Sequence, residues 1–321
     1  MSFIDRRRFL QGSAGLVLAP CLAACTEYAK HIPRSRFGAA ATAEEVTTGI
    51  DLTGKTALVT GCNSGIGYET MRVLALRGAH VFGTARSEQK GRTACNSVKG
   101  HCTPLVLELT DFDSIVECAN QVQGQTDVLD ILVCNAGVLF NERRQLNGLE
   151  LHFVVNHLGH FLLVNRLLDQ VISAPQGRVV VVSSDSHRRA PVGGIQFDDL
   201  AGQSWTDSAY AHSKLANGLF SLELARRLQG TNATSNALHP GRVKTRIFRN
   251  VERPSPARQL KNPEQGGATP CYLATNPGLI DVSGYYFVDC NPKEPSPLMR
   301  DGDMAQKLWD VSEELMEAHL A

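Results

Sequence analysis

Tyr210 and Lys214 are the residues whose types and spacing first suggest chemistry. They lie in the segment DSAYAHSKLAN, residues 207–217. Side chains four residues apart share one face of a helix, so the lysine ammonium can lie beside the tyrosine phenol. A free tyrosine has a pKa of about 10 and is a poor base at neutral pH, but a neighbouring positive charge favours its deprotonated form. The alternative is a solvated helix that carries the pair by chance, and other segments must decide between the two.

A glycine-rich segment, TGCNSGIG at residues 60–67, is a candidate site for phosphate groups. It follows an apolar run and precedes a helical pattern, with Gly61, Gly65 and Gly67 in a G-x-x-x-G-x-G arrangement. Glycine lets the backbone approach a ligand closely, and the start of a helix offers free N–H groups and a positive dipole end to an anion. The next predicted strand ends at Arg86 without an acidic residue. An arginine there accommodates a 2′-phosphate, so NADP(H) is favoured over NAD(H).

The elements that must position these residues alternate regularly along the chain. Apolar, strand-like runs are separated by segments with helical periodicity, one of which (GLELHFVVNHLGHFLLVNRLLDQVI) predicts a long buried helix. Such an alternation predicts a parallel sheet covered by helices on both faces. The predicted fold class is therefore α/β, a single doubly wound Rossmann-like domain with a mainly parallel seven-stranded sheet. The predicted strands are KTALVT, AHVFGTA, CTPLVLEL, LDILVCN, GRVVVVSS, TSNALHPG and SGYYFVDC.

Composition excludes some classes of function. The 32 basic residues (Lys and Arg) balance 32 acidic ones, whereas nucleic-acid-binding proteins usually carry a basic excess. The nine cysteines show no C-x-x-C pair, and we expect most of them to be buried free thiols. His152, His157 and His160 have no carboxylate or cysteine at ligand spacing, so packing or surface roles are expected and no metal site is predicted.

Several longer segments give the chain a resemblance to a known family. From residue 51 to residue 315 it resembles the short-chain dehydrogenase/reductase superfamily, and within it the branch of the retinol dehydrogenases and the WW-domain oxidoreductase. The segments that carry the resemblance are TGCNSGIGYET, LVCNAG, VNHLGHFLL, VVVVSSDSHR, YAHSKLAN, LHPGRVKT, SGYYFVDC and KLWDVSEEL. The resemblance implies an oxidoreductase that transfers a hydride between NADP(H) and a carbonyl or alcohol substrate, with lipophilic aldehydes or ketones among the candidates.

The resemblance also implies roles for individual residues. Tyr210 would be the general acid/base, Lys214 its partner, Ser184 the group that holds the substrate oxygen, and Asn156 the anchor of a proton-relay water. The residues implied to bind the cofactor are Gly61, Asn63, Ser64, Gly65, Ile66, Gly67, Arg86, Glu108, Leu109, Asn135, Ala136, Gly137, Tyr210, Lys214, Pro240, Gly241, Val243 and Thr245. Two positions depart from the family's pattern: Cys62 replaces the usual alanine, and Glu108 replaces the usual aspartate.

Other features of the family set further expectations and alternatives. Relatives often pair through their long helices, which implies a homodimer, and the substrate loops are expected at residues 186–206 and 243–262. The second loop is basic, and we interpret it as a solvated lid, with contact to an anionic lipid surface as the alternative. The alternative functions are a non-catalytic NADP-binding protein and a sugar-nucleotide epimerase or dehydratase.

The N-terminal segment predicts export rather than part of the fold. Residues 1–25 contain Arg6 and Arg7 in DRRRFLQ, which resembles a twin-arginine signal, and end in LAAC, which resembles a bacterial lipoprotein box with Cys25 as the acylated residue. The apolar stretch between them is too short to span a bilayer well. We therefore expect an exported bacterial protein, periplasmic or lipid-anchored, with an uncleaved tail and a cytoplasmic location as the alternative. Residues 26–50 are predicted to be a linker and residues 51–321 the folded domain.

Overall fold

The computed structural model describes residues 28–205, 208–250 and 260–320. Its main sheet has eight strands in the order β10-β9-β8-β7-β4-β1-β2-β3, in which β10 is antiparallel to β9 and the neighbouring pairs from β9 to β3 are all parallel. The seven parallel strands coincide with the seven predicted runs, and the predicted doubly wound α/β fold is confirmed. The strands are β1 Thr56–Val59, β2 His80–Ala85, β3 His101–Val106, β4 Ile131–Cys134, β5 Gln145–Leu146, β6 Leu149–Glu150, β7 Arg178–Val182, β8 Thr234–His239, β9 Tyr286–Val288 and β10 Asn291–Pro292.

Helices cover both faces of this sheet. The α-helices are α1 Ala43–Val46, α2 Gly65–Leu76, α3 Glu88–Asn96, α4 Phe112–Gln123, α5 Leu151–Phe153, α6 Gly159–Arg166, α7 Leu168–Ser173, α8 Ala209–Arg227, α9 Pro263–Gly266, α10 Ala268–Thr275 and α11 Gly302–Leu320. A π-helix spans Val154–Leu158, and short 3₁₀ helices span Asp185–Arg189, Phe197–Asp199, Arg246–Asn250, Pro277–Leu279 and Pro297–Arg300.

Alternate strand residues build two separate cores, one on each face of the sheet. Leu58 and Leu132 belong to the core under α4, α6, α8 and α11, whereas Val59 and Val133 belong to the core under α1, α2 and α10. Successive side chains of a strand point to opposite faces, so a strand buried on both sides must be apolar throughout. This is why the central strands have continuous apolar sequences.

The predicted long helix is not continuous in the structure. It runs as α5, the π-helix, α6 and, after Leu167, α7. The wider π-turn carries Asn156 at its centre. Single π-turns within α-helices occur frequently at functional sites, and this one interrupts the regular pattern next to a residue implied to be catalytic.

Residues 28–50 pack against the domain, so the linker prediction is wrong for the part of that segment that the structure describes. Ala29, Ile32 and Val46 are buried in the core beside α2 and α10. Tyr28 accepts a hydrogen bond from the backbone N–H of Tyr286 at 2.8 Å. The few apolar residues of this segment are buried in the core. Residues 28–50 are therefore part of the folded domain and do not form a free tether. The predicted export signal at residues 1–25 lies outside the described residues.

Helix α11 covers the long helices through which relatives were expected to pair. Trp309 of α11 stacks on Phe220 of α8, with ring centroids 5.8 Å apart, and meets Phe161 of α6 edge-on at 4.9 Å. His157 and Ser312 add a buried hydrogen bond of 2.8 Å between the π-helix and α11. These faces of α6 and α8 are therefore buried by the chain itself and are not available to a second subunit.

Within the part of the chain that the structure describes, no helix combines the length and hydrophobicity needed to cross a membrane. The seven described cysteines are free thiols, of which six are buried and Cys102 is partly exposed, as predicted. No group of three or more His, Cys, Asp or Glu side chains is arranged to hold a metal ion among these residues.

Candidate active site

The glycine-rich turn between β1 and α2 forms one end of the candidate site. Gly61 and Gly65 have φ angles of +75° and +63°, a backbone conformation that favours glycine. At Gly67 the reason for glycine is different: a Cβ there would lie 2.4 Å from the carbonyl oxygen of Gly61. Gly67 therefore permits the turn to pack closely, while Gly61 and Gly65 line the cavity above it.

Thr60 joins this turn to the segment that follows β4. Its Oγ1 accepts hydrogen bonds from the backbone N–H groups of Asn135 and Ala136, both at 2.9 Å. The side-chain Nδ2 of Asn135 donates in return to the Thr60 carbonyl at 2.8 Å. The two loops that line this part of the cavity are thus held together by three hydrogen bonds.

His160 connects the same threonine to the π-helix. Its Nε2 lies 2.9 Å from Thr60 Oγ1, and its Nδ1 lies 3.1 Å from the carbonyl oxygen of Asn156. Burial lowers the pKa of His160 to about 4, so the ring is neutral at physiological pH. Because Thr60 Oγ1 already accepts two N–H groups, its hydroxyl donates to Nε2, and the Nδ1–H donates to Asn156. The expected packing role of His160 is confirmed, and its neutral ring also joins Thr60 to Asn156 by hydrogen bonds.

The side chain of Asn156 makes three hydrogen bonds. Its Oδ1 accepts from the Val138 N–H at 2.8 Å, and its Nδ2 donates to the Val138 carbonyl at 3.2 Å and to Ser213 Oγ at 3.0 Å. A Cβ added to Gly137 would lie 3.0 Å from Asn156 Oδ1 and 3.7 Å from the Nζ of Lys214. Asn156 therefore fixes the loop after β4 directly beside Lys214.

Ser184, Tyr210 and Lys214 line the same cavity. Lys214 is buried, with Nζ 5.7 Å from the centroid of the Tyr210 ring and 2.9 Å from the Val182 carbonyl oxygen to which it donates. Ser184 lies two residues after the end of β7 and is the N-cap residue of the 3₁₀ helix Asp185–Arg189. Its hydroxyl is near enough to the Tyr210 phenol to lower the pKa of that group. The start of α8 and the end of β7 thus bring the three side chains into one pocket.

The pKa values of this pair correct one expectation. Burial raises the pKa of Tyr210 to about 12, although the neighbouring Ser184 hydroxyl and the charge of Arg189 act to lower it. Burial likewise lowers the pKa of Lys214 to about 7. The sequence predicted that Lys214 would bring the phenol towards neutral pH, but in the structure desolvation outweighs the attraction of the protein's own cations.

Two histidines contact residues at the centre of the candidate site. The sequence predicted a packing or surface role for His152 and made no prediction for His187. His152 accepts from the Phe140 N–H at 3.0 Å and lies edge-on to Tyr210, with centroids 6.0 Å apart. His187 lies 2.6 Å from the Ser184 carbonyl oxygen and accepts from the Ser296 N–H at 3.0 Å. Ser184 is close to His187 in the sequence, but Ser296 is far from it, so the link that His187 makes between them becomes visible only in the fold.

A single cavity of about 840 Å³ brings these parts together. Of the predicted site residues, Asn156 and Gly67 lie behind its wall. The others all line it: Gly61, Asn63, Ser64, Gly65, Ile66, Arg86, Glu108, Leu109, Asn135, Ala136, Gly137, Ser184, Tyr210, Lys214, Pro240, Gly241, Val243 and Thr245.

The predicted substrate loops contribute to the cavity only in part. From residues 186–206, Ser186 and Arg189 line it, and from residues 243–262, its lining includes Ile247, Phe248 and Arg249. Residues 251–259 lie outside the described part of the chain. Sequence reasoning missed Val138, Leu139, Phe140, Leu151 and Val155, which form much of the apolar wall. Residues 138–140 follow the carboxyl end of β4, and ligands bind at this end of the strands in such sheets. Their position in the sequence could therefore have identified them.

The shape of the cavity fits a dinucleotide. The start of α2 has Ser64 as its N-cap residue with no side-chain hydrogen bond to the helix, so the first N–H groups remain available to a phosphate. A Cβ at Gly65 would lie 3.0 Å from Thr245 Cγ2, which places Thr245 directly across the turn. Arg86 follows the end of β2, and Pro240 and Gly241 follow β8 and line the same cavity as Tyr210 and Lys214.

Comparison with known proteins agrees with this geometry. The family model for short chain dehydrogenases matches residues 55–255. Short-chain dehydrogenase TIC 32 A, chloroplastic, of Brassica napus is 39% identical over 89% of this chain and 96% of its own length. Retinol dehydrogenase 12 of Mus musculus is 41% identical over 84% and 89%, and the human WW domain-containing oxidoreductase is 37% identical over 91% and 75%.

Solved structures show the same relationship. A crystal structure of an uncharacterized protein from Mycobacterium paratuberculosis is 30% identical and covers 84% of this chain and 97% of its own, with a TM-score of 0.69. A short chain dehydrogenase/reductase family protein is 26% identical over 75% and 98%, with a TM-score of 0.62. The chain therefore belongs to the short-chain dehydrogenase/reductase family, in the branch that includes the retinol dehydrogenases and the WW domain-containing oxidoreductase.

Proposed function

We propose that this oxidoreductase uses NADP(H) to interconvert a carbonyl compound and its alcohol. The observation that carries the proposal is that one cavity joins Ser184, Tyr210 and Lys214 to the glycine-rich start of α2. A nicotinamide cofactor, when bound, supplies or accepts the hydride. The protein must then hold the substrate oxygen, move one proton to or from it, and exclude water.

Tyr210 is suited to exchange the proton with the substrate oxygen. Its phenol lines the same cavity as Ser184, whose hydroxyl can hold the substrate oxygen as negative charge develops there. With a pKa of about 12, Tyr210 is protonated at neutral pH, so reduction begins with the acid already in the required state. For oxidation, a protonated Lys214 stabilises the phenolate.

Lys214 has a pKa of about 7, so both its charged and neutral forms are populated at neutral pH. Asn156, Gly137 and the lysine lie together behind the phenol. We assign to Lys214 the exchange of a proton with Tyr210 during turnover, and to Asn156 the positioning of the loop and of a water that leads from the lysine. Both roles belong to the proposal.

The choice of NADP(H) is supported by Arg86. Its side chain is exposed at the carboxyl end of β2 and lines the cavity, where an acidic residue would instead bond the ribose hydroxyls of NAD. Among the described residues no carboxylate lies within ion-pair distance of Arg86. The guanidinium is therefore free to pair with a 2′-phosphate.

The test is to measure the oxidation of NADPH and of NADH by the purified full chain with a panel of aldehydes and ketones. We expect turnover with NADPH and a preference for NADPH of roughly tenfold or more, the size of one charge-assisted hydrogen bond. Equal rates with both cofactors would contradict the assignment of Arg86. Binding of NADPH without turnover of any compound would favour a non-catalytic NADP-binding protein.

We also propose that residues 1–25 direct export and that Cys25 is acylated. The twin-arginine pair and the LAAC segment occur in the order that such signals require. The full chain, expressed in bacteria with an alkyne-labelled fatty acid, should become labelled and sediment with membranes. Cys25→Ala should lose both properties. An unlabelled wild-type chain in the cytoplasmic fraction contradicts the proposal.

A further inference from the structure

The cavity combines an apolar wall with several arginines. Val138, Phe140, Leu151, Val155 and Phe248 provide the apolar surface. Arg189, Arg246 and Arg249 line the same cavity and are exposed. An apolar wall bordered by cations is suited to an amphiphilic ligand rather than to a purely apolar one.

These three arginines have no acidic partners in the part of the chain that the structure describes. Arg189 donates to Ser186 Oγ at 3.2 Å, and no described carboxylate lies within ion-pair distance of any of the three. Several basic side chains that do not line the cavity are paired: Arg144 with Glu142, Lys261 with Asp289 and Arg300 with Glu294. Among the described residues, no carboxylate competes with a ligand for these three arginines.

The phosphates of the cofactor do not account for Arg189. The start of α2, facing Thr245, and Arg86 lie on the cofactor side of the cavity. Arg189 lies instead in the 3₁₀ helix that follows Ser184, and its charge acts directly on Tyr210, whose pKa it lowers. Arg189 therefore acts on Tyr210, the group that meets the substrate in the proposed function.

The acidic residues of the cavity do not neutralise this charge. Glu108 and Asp185 are the acidic residues among the described lining, against five arginines and Lys214. Asp185 is already engaged, because it accepts from the Tyr286 hydroxyl at 3.1 Å and lies 3.8 Å from Arg188 Nε. Glu108 lies beside Leu109 at the end of β3, near the adenosine side.

From these observations, and resting on the proposed function, we infer that the substrate is an anionic amphiphile. It carries its reacting carbonyl or hydroxyl on a medium or long apolar chain together with a carboxylate or phosphate group. The oxygen at the reacting carbon meets Ser184 and Tyr210, the chain lies against Val138 and Phe140, and the anion pairs with Arg189 and Arg249. Charge-assisted pairs of arginine with carboxylate or phosphate are among the strongest hydrogen bonds in proteins.

The experiment compares 8-oxooctanoate with its methyl ester, which differ in charge but share the reacting aldehyde and the chain. We expect the full chain with NADPH to prefer the acid by roughly tenfold in kcat/KM. Arg189→Gln and Arg249→Gln should each lower the ratio of acid to ester. Arg92→Gln, on α3 and outside the cavity lining, is the matched control and should leave the ratio unchanged.

Raised salt provides a second readout of the same preference. Exposed charges are screened over about 10 Å at 0.1 M salt, so the ratio of acid to ester should fall as salt is added. The inference is overturned if the ester is reduced with the same kcat/KM as the acid. It is also overturned if the arginine variants change kcat/KM equally for both substrates. Reduction of other carbonyl compounds without reduction of either test compound also overturns it.

Binding measurements distinguish a failure of this inference from a failure of the proposed function. Calorimetry on the NADPH-saturated full chain should show binding of octanoate or octyl phosphate that is stronger than that of octanamide and weakened by Arg249→Gln. The two anions distinguish a carboxylate from a phosphate substrate. If no compound is turned over but the anions bind selectively, the proposed function fails and the anion site stands. If octanamide binds as tightly as both anions, the inferred anion site is excluded, whether or not the protein turns over any substrate.

Discussion

The Nζ atom of Lys214 lies 5.7 Å from the ring centroid of Tyr210, and the two residues are about one helical turn apart near the start of α8. The sequence predicted this proximity from a spacing of four residues. The two groups differ from exposed residues because burial moves their pKa values in opposite directions, to about 12 for the phenol and about 7 for the amine. Each group is therefore closer to its uncharged form than it would be in water.

The lowered pKa of Lys214 predicts a pH-dependent stability. Between pH 7 and 10.5 the unfolded lysine binds a proton that the folded one does not, so its unfavourable contribution to the free energy of unfolding shrinks as pH rises. The difference between wild type and Lys214→Met should change in favour of wild type by about 1.4 kcal/mol per pH unit in this window. Urea unfolding without cofactor at pH 7, 8 and 9 measures it. The exposed Lys90→Met should show no such trend, and a flat difference for Lys214→Met would refute the burial argument.

Tyr210→Phe should abolish turnover while NADPH binding remains nearly intact. The substitution removes the only hydroxyl that the proposal assigns to proton transfer, which is worth roughly 10²–10⁴-fold in rate, and leaves the ring to fill the same space. Steady-state kinetics and NADPH fluorescence titration measure the two effects. Tyr68→Phe is the control, because Tyr68 does not line the cavity and the hydroxyl that it loses lies 2.9 Å from Ser97 Oγ. Unchanged turnover in Tyr210→Phe would exclude the assigned role.

Arg86→Asp should reverse the cofactor preference. An aspartate at the end of β2 repels a 2′-phosphate and can accept hydrogen bonds from the ribose hydroxyls of NADH. We expect NADPH to bind at least tenfold more weakly, the size of a charge-assisted hydrogen bond, and NADH to bind more tightly. Titration of both cofactors measures the ratio of dissociation constants. Arg92→Asp makes the same charge change on α3, and an equal effect there would point to general electrostatics instead of a specific contact.

Gly67→Ala tests the packing behind the phosphate turn. The new Cβ would lie 2.4 Å from both the Gly61 carbonyl oxygen and the Asn135 Nδ2, so the turn and the segment after β4 must separate. We expect a loss of about 1–3 kcal/mol in the free energy of unfolding and weaker NADPH binding. Gly302→Ala, where a Cβ would meet nothing within 4 Å, is the comparison. A Gly67→Ala protein as stable and as tightly binding as wild type would contradict the close contact between these two loops.

Local motifs explain why much of the site could be predicted from sequence. The glycine turn, the Tyr210–Lys214 spacing and Ser184 at a strand end are each set by a few neighbouring residues, and parallel strands bring their carboxyl ends to one edge of the sheet. The hairpin of β5 and β6 also had a local signal that was not used. Asn147 and Gly148 both have positive φ, as an Asn-Gly turn of two residues predicts.

Other features depend on contacts between segments far apart in sequence. The π-turn at Asn156 places that side chain against Val138, and His187 joins Ser184 to Ser296. The packing of Ile32 beside α2 and of Trp309 on α8 likewise requires the assembled sheet. No periodicity or spacing within one segment carries this information, so the support of the site, the cover over α8 and the docking of residues 28–50 become visible only in the fold.

Three neutral histidines predict how the protein responds to acid. Burial lowers the pKa of His157 and His212 to about 3 and that of His160 to about 4, from an ordinary value of 6.5. As pH falls below 6.5 the unfolded chain takes up protons that the folded chain does not, so stability falls by about 1.4 kcal/mol per pH unit for each histidine. His157→Gln should make this loss between pH 6 and 4 shallower by about that amount. Urea unfolding across this range measures the slope, with the exposed His31→Gln as control. An unchanged slope in His157→Gln would show that His157 is already protonated, or equally accessible, in the folded protein.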